Sequence, residues 1–414
     1  MNPLYNLAIR VYRLGVRIAS GRHVKARRLC EGHKAVWTCL RHKVASAGGQ
    51  WVWIHAASLG EFEQGRPLIE RIKRERPGMK VLLTFFSPSG YEVRRDYQGA
   101  DAVCYLPFDT PSNARRFLDM VNPRIAVFVK YEFWGNYLTG LSRRGTPTYI
   151  ISAIFRPSQV FFRPWGGMFR RMLRCFTRIY VQDEASRRLL EGIGVRDVTV
   201  AGDTRFDRVT DILRTVTDMP VLDAFCAHDA TDVLVAGSSW EPDEDVIIPW
   251  LKAHPTVKSV FAPHEFDDIR LERLRHRLGD GCRLLSELEN DPMTDPSKVR
   301  HIIVDCFGRL ASIYRKATIA YVGGGFGTSI HNLNEAAVYD LPVIFGPRHQ
   351  KFKEASDLIA CGGGFSVGSA EDFDATASAL AADHTRRDAA GHAAGDYIRR
   401  SVGATDIIFK QIFP

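Results

Sequence analysis

Short apolar runs alternate with polar, helix-like stretches along this sequence from residue 51 onward. A first series predicts seven strands, at WVWIHAA (51–57), MKVLLTFF (79–86), AVCYLPFD (102–109), RIAVFVKYEFW (124–134), PTYIISA (147–153), RIYVQD (178–183) and VTVAGD (198–203). After a strand-poor connection over 204–230, a second series predicts seven more, at VLVAGSS (233–239), VKSVFAP (257–263), CRLLSEL (282–288), RHIIVDC (300–306), TIAYVGGG (318–325), LPVIFGP (341–347) and GGFSV (363–367). Apolar strands that alternate with helices are typical of a parallel sheet covered by helices on both faces.

We therefore predict an α/β chain of two doubly wound, Rossmann-like domains, with a cleft between the carboxyl ends of both sheets. This is the architecture of type-B glycosyltransferases (the GT-B fold), although two unrelated Rossmann-like domains would give the same pattern. The predicted regions are an arm over 1–45, a first domain over 46–210 and a second domain over 211–414. The last helical segment could pack back on the first domain.

The arm has a different pattern, which predicts an amphipathic helix over 3–18. Polar residues recur there at helical spacing: Asn6, Arg10, Arg13 and Arg17. Apolar residues cover the rest of the helix: Leu4, Leu7, Ile9, Val11, Leu14, Val16 and Ile18.

Four interpretations of this arm compete. A secretory signal is disfavoured because arginines interrupt the apolar region, and a nucleic-acid-binding arm is disfavoured because no recognition fold follows. A helix packed on the body remains open. We favour a peripheral helix at a membrane surface, whose arginines approach anionic lipid headgroups. Further basic residues follow the helix at Arg22, Lys25, Arg27 and Arg28.

The charge distribution agrees with this interpretation. The 414 residues carry a net charge of +9, and residues 1–50 hold ten basic residues against the single acidic Glu31. The rest of the chain is therefore electrically balanced, and no nucleic-acid partner is expected. No run of about 18 apolar residues predicts a membrane span. The eight cysteines form no Cys-x-x-Cys pair, as expected for reduced cytosolic thiols.

Two acidic strand-end segments in the first half could carry chemistry. Ser58-Leu59-Gly60-Glu61 has the spacing of a helix capping box, with Ser58 as N-cap and Glu61 as its partner. The same position suits a general base at the carboxyl end of a strand, and Gly60 would let a ligand approach the backbone. Glu132, flanked by aromatic residues, could hold a sugar acceptor or could simply begin a helix.

In the second half, glycine-rich and polar segments follow several predicted strands. A glycine-rich turn before a helix can present backbone N–H groups to an anion, although flexible loops are often glycine-rich as well. Glu335 could bind ribose hydroxyls or could be a solvated helix residue. The candidate residues for a nucleotide donor are Gly237, Ser238, Ser239, His264, Phe307, Gly308, Gly323, Gly324, Asn332 and Glu335.

The order and spacing of several motifs resemble the 3-deoxy-D-manno-octulosonic acid (Kdo) transferases, over nearly the whole chain. The matching segments are Ser58-Leu59-Gly60-Glu61, Leu106-Pro107-Phe108-Asp109, Glu132-Phe133-Trp134-Gly135-Asn136, Gly202-Asp203-Thr204-Arg205-Phe206-Asp207, Gly237-Ser238-Ser239, Val322-Gly323-Gly324, His331-Asn332-Leu333-Asn334-Glu335 and Gly346-Pro347. The chain departs from the family pattern at Lys130, Gly135, Pro263-His264 and Gly308-Arg309-Leu310.

The resemblance implies an inverting enzyme that moves Kdo from CMP-Kdo to a lipid A disaccharide precursor of the lipid IVA type. It implies Glu61 as the catalytic base, acceptor binding by Ser58, Gly60 and Glu132 in the first domain, and CMP-sugar binding in the second. We expect no metal or other cofactor, and a peripheral location at the cytoplasmic face of the inner membrane. The alternatives are another GT-B nucleotide-sugar enzyme of the cell envelope and a non-catalytic, membrane-associated binding protein.

Overall fold

A computed structural model describes residues 3–214, 217–227 and 232–414. The chain divides into two compact units, one running to Arg208 and including Val402–Pro414, the other covering Val209–Ser401. Residues 1–2 of the predicted arm and residues 215–216 and 228–231 of the predicted connection lie outside the described residues.

Unit 1 is built on a seven-stranded parallel sheet of order β3-β2-β1-β4-β5-β6-β7. Its strands are β1 (Gln50–Ala56), β2 (Met79–Phe85), β3 (Ala102–Tyr105), β4 (Ile125–Val129), β5 (Thr148–Ala153), β6 (Arg178–Val181) and β7 (Val198–Val200). Its helices are α1 (Pro3–Ala19), α2 (Val24–Cys39), α3 (Leu59–Glu75), α4 (Pro88–Arg94), α5 (Pro111–Val121), α6 (Gly135–Arg143), α7 (Gly167–Leu173) and α8 (Glu184–Glu191), with α9 (Arg205–Arg214) crossing into unit 2. A π-helical turn extends α2 over Leu40–Ala45.

Unit 2 repeats the arrangement with a parallel sheet of order β10-β11-β9-β8-β12-β13-β14. Its strands are β8 (Val233–Ser239), β9 (Lys258–Pro263), β10 (Cys282–Leu284), β11 (His301–Ile303), β12 (Ile319–Val322), β13 (Val343–Phe345) and β14 (Gly364–Ser366). Its helices are α10 (Pro220–Phe225), α11 (Glu241–Ala253), α12 (Asp268–Leu278), α13 (Leu285–Asn290), α14 (Leu310–Tyr314), α15 (Asn334–Ala337), α16 (Lys353–Cys361), α17 (Ala370–Ala382) and α18 (His384–Ser401). The final helix, α19 (Ala404–Ile412), packs on α3 in unit 1.

The predicted strand series is confirmed, since each of the fourteen apolar runs contains a strand. The central strands are buried on both faces, as expected for parallel strands between helix layers, whereas the edge strands β7, β10 and β14 are only partly buried. In β1, Trp51 and Trp53 enter one core cluster while Val52 and Ile54 enter the cluster on the opposite face. The run over 282–288 differs from its prediction, because the strand stops at Leu284 and a helix begins at Leu285.

The arm forms the predicted helix, and one side of α1 packs on the body of unit 1 through half-buried residues such as Tyr5 and Val16, while the arginines of the helix are exposed. The Tyr5 hydroxyl donates to Asp109 Oδ2 (2.6 Å) and accepts from the Gly135 N–H (3.0 Å), while Asn136 Nδ2 donates to Asn6 Oδ1 (2.9 Å). The apolar residues Leu4, Leu7, Val11, Leu14 and Ile18 are all exposed. Within the described residues, no helix has both the length and the apolar character needed to cross a bilayer.

Candidate functional site

Each sheet has a topological switch point, where the chain leaves its first strand and later returns on the other side of it. In unit 1 this point lies between β1 and β4, and in unit 2 between β8 and β12. Ligands of open α/β sheets bind beyond the carboxyl ends of the strands at such points. Most of the sequence-predicted residues lie at or after the ends of β1, β4, β8 and β12, whereas His264 follows β9 and Phe307 and Gly308 follow β11.

Glu61 lies in the first turn of α3, directly after β1, and its carboxylate caps that helix. Oε2 accepts hydrogen bonds from the Ser58 N–H (2.7 Å) and the Ser58 hydroxyl (2.5 Å). The predicted capping arrangement is therefore present. Gly60 is exposed, and a Cβ atom at this position would meet no atom within 4 Å. The capping bonds hold Glu61 in a fixed orientation at the sheet edge.

Glu132, which follows β4, belongs to a buried hydrogen-bond network. Its Oε2 accepts from Trp134 Nε1 (2.6 Å) and lies 3.0 Å from His55 Nε2. The His55 ring, fully buried in β1, contacts Thr84 through Nδ1, at 3.0 Å from the carbonyl and 2.9 Å from the hydroxyl. Glu132 is therefore a fixed side chain whose position depends on β1, β2 and β4 together.

A second buried carboxylate, Asp203, follows β7 and joins that strand end to α3. Both of its carboxylate oxygens accept a hydrogen bond from Gln64 Nε2, at 3.0 and 2.9 Å. The carboxylate is also paired with the Arg205 guanidinium at 2.8 Å. Burial alone would raise the pKa of Asp203, but the charge and hydrogen bonds of Arg205, with the bond from Gln64, hold that pKa below its usual value. Gln64 lies three residues beyond Glu61 on α3, so this anchor fixes the helix that carries Glu61.

Charged side chains at this edge of unit 1 shift the pKa of Tyr131. Burial raises the pKa of its phenol, and the guanidinium groups of Arg156 and Arg205 act against that shift. The carboxylates of Asp203 and Glu61 raise the same pKa. The structure therefore brings Glu61 into a neighbourhood that also contains cationic side chains, although nothing in the printed sequence places Arg156 near it.

In unit 2, glycines at the switch point allow strand ends to approach one another closely. The Gly323 N–H donates to the Gly237 carbonyl (2.9 Å). A Cβ atom at Gly237 would overlap the Tyr314 hydroxyl, and one at Gly323 would overlap the Ser238 carbonyl. Ser238 itself has φ +53°, a left-handed conformation that only a few non-glycine residues adopt.

The glycine-rich turn after β12 does not offer its first N–H groups to an anion as expected. The Gly323 N–H is used by Gly237, and the Gly324 N–H donates to Asp243 Oδ2 (2.9 Å). The helix that follows, α15, has only four residues and starts eleven positions beyond Gly323. These glycines serve close packing, and phosphate would have to be held by other groups of the loop.

Two carboxylates at the start of α11 occur in an Asp-x-Asp run, Asp243-Glu244-Asp245, and the first two are fully buried. Ser239 Oγ donates to Glu244 Oε1 (3.0 Å), which is also paired with the Arg270 guanidinium at 2.6 Å. Asp243 accepts from the Tyr321 hydroxyl (2.8 Å) as well as from Gly324. Both side chains therefore stabilise the strand ends around Ser239.

An aromatic stack forms the rim above these strand ends. The His264 and His331 rings are stacked with centroids 4.1 Å apart, and Trp240 Nε1 donates to His331 Nε2 (3.2 Å). Burial, together with the neighbouring His264 ring, lowers the pKa of His331 to about 4, so the His331 ring is uncharged at neutral pH. Phe307, largely exposed, stacks on Phe266 at 4.7 Å, and Gly308 beside it has φ +83°.

Asn332 and Glu335 lie together at the end of the glycine-rich loop. Asn332 Nδ2 donates to Glu335 Oε1 at 3.0 Å, and Asn332 Oδ1 accepts from the Asn334 N–H at 3.3 Å. A carboxylate held in this way can accept hydrogen bonds from a vicinal diol such as a ribose. The arrangement is compatible with the predicted donor role of both residues.

Several of the residues that build these sites are not identified as site residues by the sequence motifs. His55, Asp203 and Trp240 act through partners far away in the chain, such as Glu132, which is 77 residues from His55. A histidine inside an otherwise apolar strand, as in WVWIHAA, is a signal that could have identified His55, because a buried imidazole needs hydrogen-bond partners.

Two solved structures identify the class to which this pair of sheets belongs. UDP-GlcNAc 2-epimerase from Neisseria meningitidis, bound to UDP-GlcNAc, is 16% identical, with a TM-score of 0.60 over 88% of this chain and 99% of the other. MurG from Acinetobacter baumannii is 12% identical, with a TM-score of 0.58 over 88% and 99%. At these identities the similarity shows the fold alone, which is the GT-B fold, and the predicted fold class is confirmed.

Sequence similarity connects the chain to a narrower group of proteins with this fold. Residues 25–208 match the family model described as 3-Deoxy-D-manno-octulosonic-acid transferase (kdotransferase). The chain is also 28% identical over 412 residues to the 3-deoxy-D-manno-octulosonic acid transferase of Bordetella pertussis, covering 89% of this chain and 94% of that relative. The resemblance to the Kdo transferases that the motifs indicated is therefore confirmed, with a Kdo transferase domain matched over residues 25–208.

Proposed function

We propose that this protein transfers Kdo from CMP-Kdo to a lipid A disaccharide precursor of the lipid IVA type, with inversion at the anomeric carbon. An acceptor hydroxyl oxygen attacks the anomeric carbon as the bond to the CMP phosphate breaks on the opposite face. The hydroxyl proton passes to Glu61. CMP leaves as a phosphate monoester, so the proposal includes no metal, and chelators should leave the rate unchanged.

The observation that carries the proposal is the position of the Glu61 carboxylate. It lies at the switch point of unit 1, and both of its hydrogen bonds go to Oε2. Oε1 can therefore accept a proton while the helix cap stays intact. A positioned carboxylate accelerates such a proton transfer by about 10²–10⁴-fold. Glu132 and the exposed backbone at Gly60 would contact the acceptor.

Unit 2 would hold the donor. Asn332 and Glu335 would bind the ribose, while the aromatic rim of Trp240, His264 and His331 would line the nucleotide site. Competition separates this proposal from another nucleotide-sugar enzyme. CMP should inhibit at concentrations where UDP does not, and stronger inhibition by UDP would contradict the assignment of the donor.

The test of the base is Glu61→Gln, assayed with CMP-Kdo and a lipid IVA-type acceptor. Glutamine keeps an oxygen that can accept the Ser58 N–H, so the cap and the fold should persist. Turnover should fall by about 10²-fold or more because the amide cannot accept the proton, while CMP affinity stays the same.

Glu63→Gln is the matched control, since Glu63 lies on the same helix but pairs with Arg94 (3.0 Å). It should retain turnover within about threefold, as expected for a partly exposed ion pair of small energetic value. If Glu61→Gln retains more than about a tenth of the wild-type rate, Glu61 is a capping residue and not the base.

We further propose that α1 holds the protein peripherally at the cytoplasmic face of the inner membrane. Hydrogen bonds of Tyr5 and Asn6 hold one side of the helix on the body, and the exposed apolar residues face away from the protein. An apolar helix face flanked by arginines is suited to the boundary between headgroups and acyl chains.

The triple substitution Leu7→Gln, Val11→Gln and Leu14→Gln should release the protein from vesicles that contain anionic lipid, measured by co-sedimentation. Equivalent substitutions at exposed apolar residues of unit 2, Ile269, Met293 and Ile359, serve as the control and should not. Activity on a detergent-dispersed acceptor should survive. Unchanged sedimentation of the α1 variant would place the membrane contact elsewhere.

A further inference from the structure

A cavity of about 670 Å³ lies in unit 1, between α1, α2 and the segment that follows β3. Arg13 and Arg17 of α1 and Lys34 of α2 line it, together with Asn113 of α5. Phe108 and His33 form part of its wall. None of the described residues that line it carries a carboxylate, so the charged side chains among them all have the same sign.

The three cations have no ion-pair partner within the described part of the chain, although paired arginines are common elsewhere in unit 1. Arg66 and Arg71, for example, each bond a glutamate one helical turn away, at 2.7 and 3.0 Å. Like charges that converge on a cavity repel one another, and an anion between them would turn that repulsion into attraction. The lining is therefore suited to a compact anion with several acceptor oxygens.

His33 adds a second, independent sign that a ligand is absent from this pocket. Both of its ring nitrogens are buried and have no hydrogen-bond partner among the described residues. Its ring packs edge-on against Phe108, with centroids 4.3 Å apart. Buried polar atoms in proteins are nearly always hydrogen-bonded, so an unpartnered imidazole in a cavity wall indicates a missing partner.

We propose that this pocket binds a terminal phosphate group, held by Arg13, Arg17 and Lys34. Guanidinium groups present forked N–H donors that match phosphate oxygens, and an ammonium group adds a compact charge. The phosphate could belong to a lipid headgroup or to a soluble molecule. The arginines alternate along α1 with exposed apolar residues, Leu14 beside Arg13 and Ile18 beside Arg17, which makes a membrane lipid the natural source. None of these three residues is assigned a role in the transfer chemistry proposed above.

The experiment compares two double variants that remove the same charge. Arg13→Gln with Lys34→Gln removes two ligands of the pocket, and Arg22→Gln with Lys25→Gln removes two exposed cations outside it. Inorganic phosphate is titrated into each protein and into the wild type, with the His33 ring resonances followed by NMR. We expect saturable shifts of His33 in the wild type and the control, and phosphate affinity at least about tenfold weaker in the pocket variant, as the loss of charge-assisted hydrogen bonds predicts.

Absence of saturable shifts at His33 in the wild type overturns the proposal. So does equal weakening in both double variants, because a diffuse basic surface would respond to net charge alone. The source is identified with vesicles of equal surface charge that contain either phosphatidic acid, which has a terminal phosphate, or phosphatidylglycerol, which does not. A preference for phosphatidic acid that the pocket variant loses supports a lipid source, and phosphate binding without that preference supports a soluble one. Kdo transfer is not needed for any of these measurements, so its failure would leave the result for the pocket intact.

Discussion

The two units place a carboxylate at the same point of their topology and use it differently. In unit 1 the Ser58 N–H, at the start of the helix after β1, donates to Glu61 three residues on (2.7 Å). In unit 2 the Trp240 N–H, at the start of the helix after β8, donates to Asp243 three residues on (2.9 Å). Both acids cap the first helix of their sheet.

The difference lies in what else each carboxylate does. Asp243 is fully buried and also accepts from the Tyr321 hydroxyl and the Gly324 N–H, so both of its oxygens are bonded. Burial raises its pKa, and the hydrogen bonds offset part of that rise. Glu61 is only half-buried and is bonded through one oxygen. The same local motif thus supplies a structural acid in one unit and an acid with a free accepting atom in the other.

Replacing each acid by alanine should separate these roles most strongly. Asp243→Ala leaves two N–H groups and a tyrosine hydroxyl unpaired in the interior, so unfolding free energy should fall by about 3 kcal/mol. Glu61→Ala removes a helix cap and should cost only about 1 kcal/mol. Urea unfolding, with amide exchange at Trp240 and Gly324, measures the difference. Similar losses in both variants would show that the two carboxylates are equivalent.

The glycines near the two acids give the next test. A Cβ atom at Gly237 would overlap the Tyr314 hydroxyl, whereas one at Gly60 would meet nothing within 4 Å. Gly237→Ala should therefore cost about 2 kcal/mol of stability through overpacking. Gly60→Ala should not destabilise the protein, since alanine is the better helix residue, but it should raise the KM for the acceptor. A Gly60 variant with unchanged KM would remove this backbone from the acceptor site.

The sequence predicts local features of both sites well and distant ones poorly. The strand series and the Ser58–Glu61 cap follow from spacings of two to four residues, which can be recognised directly in the sequence. Glu132 was singled out, but its bond to His55 joins residues 77 apart, and Gln64 reaches Asp203 across 139 residues. Such pairs depend on how strands are ordered in the sheet, which periodicity does not determine. The internal bond of the Gly324 N–H was missed for the same reason.

A smaller effect is expected at the donor site of unit 2. Glu335→Ala should weaken CMP binding by about tenfold, the value of one hydrogen bond to a charged group, and leave acceptor binding unchanged. Isothermal titration with CMP measures this loss. Asp374→Ala, on an exposed part of α17, is the control. If CMP affinity does not change in the Glu335 variant, this carboxylate does not contact the nucleotide.

The smallest expected difference concerns how one titrating residue of each unit changes the stability of the protein as the pH falls. The two changes should have opposite signs. Burial raises the pKa of Asp109 in unit 1 to about 6, although the bonds from Tyr5, Asn136 and Tyr137 lower it in part. Its unfolded pKa is near 3.9, so the folded state binds the extra proton between these values. Asp109 therefore contributes stability that grows as pH falls from about 7 to 4. Burial instead lowers the pKa of His331 in unit 2 to about 4, below an unfolded value near 6.5, so stability is lost over the same range. Relative to Asp109→Asn, the unfolding free energy of the wild type should rise by on the order of 1 kcal/mol between pH 7 and pH 4.5. Relative to His331→Asn, it should fall by a similar amount. Urea unfolding at several pH values measures both differences in stability. If the two differences changed in the same direction with pH, the opposite pKa shifts of Asp109 and His331 would be contradicted.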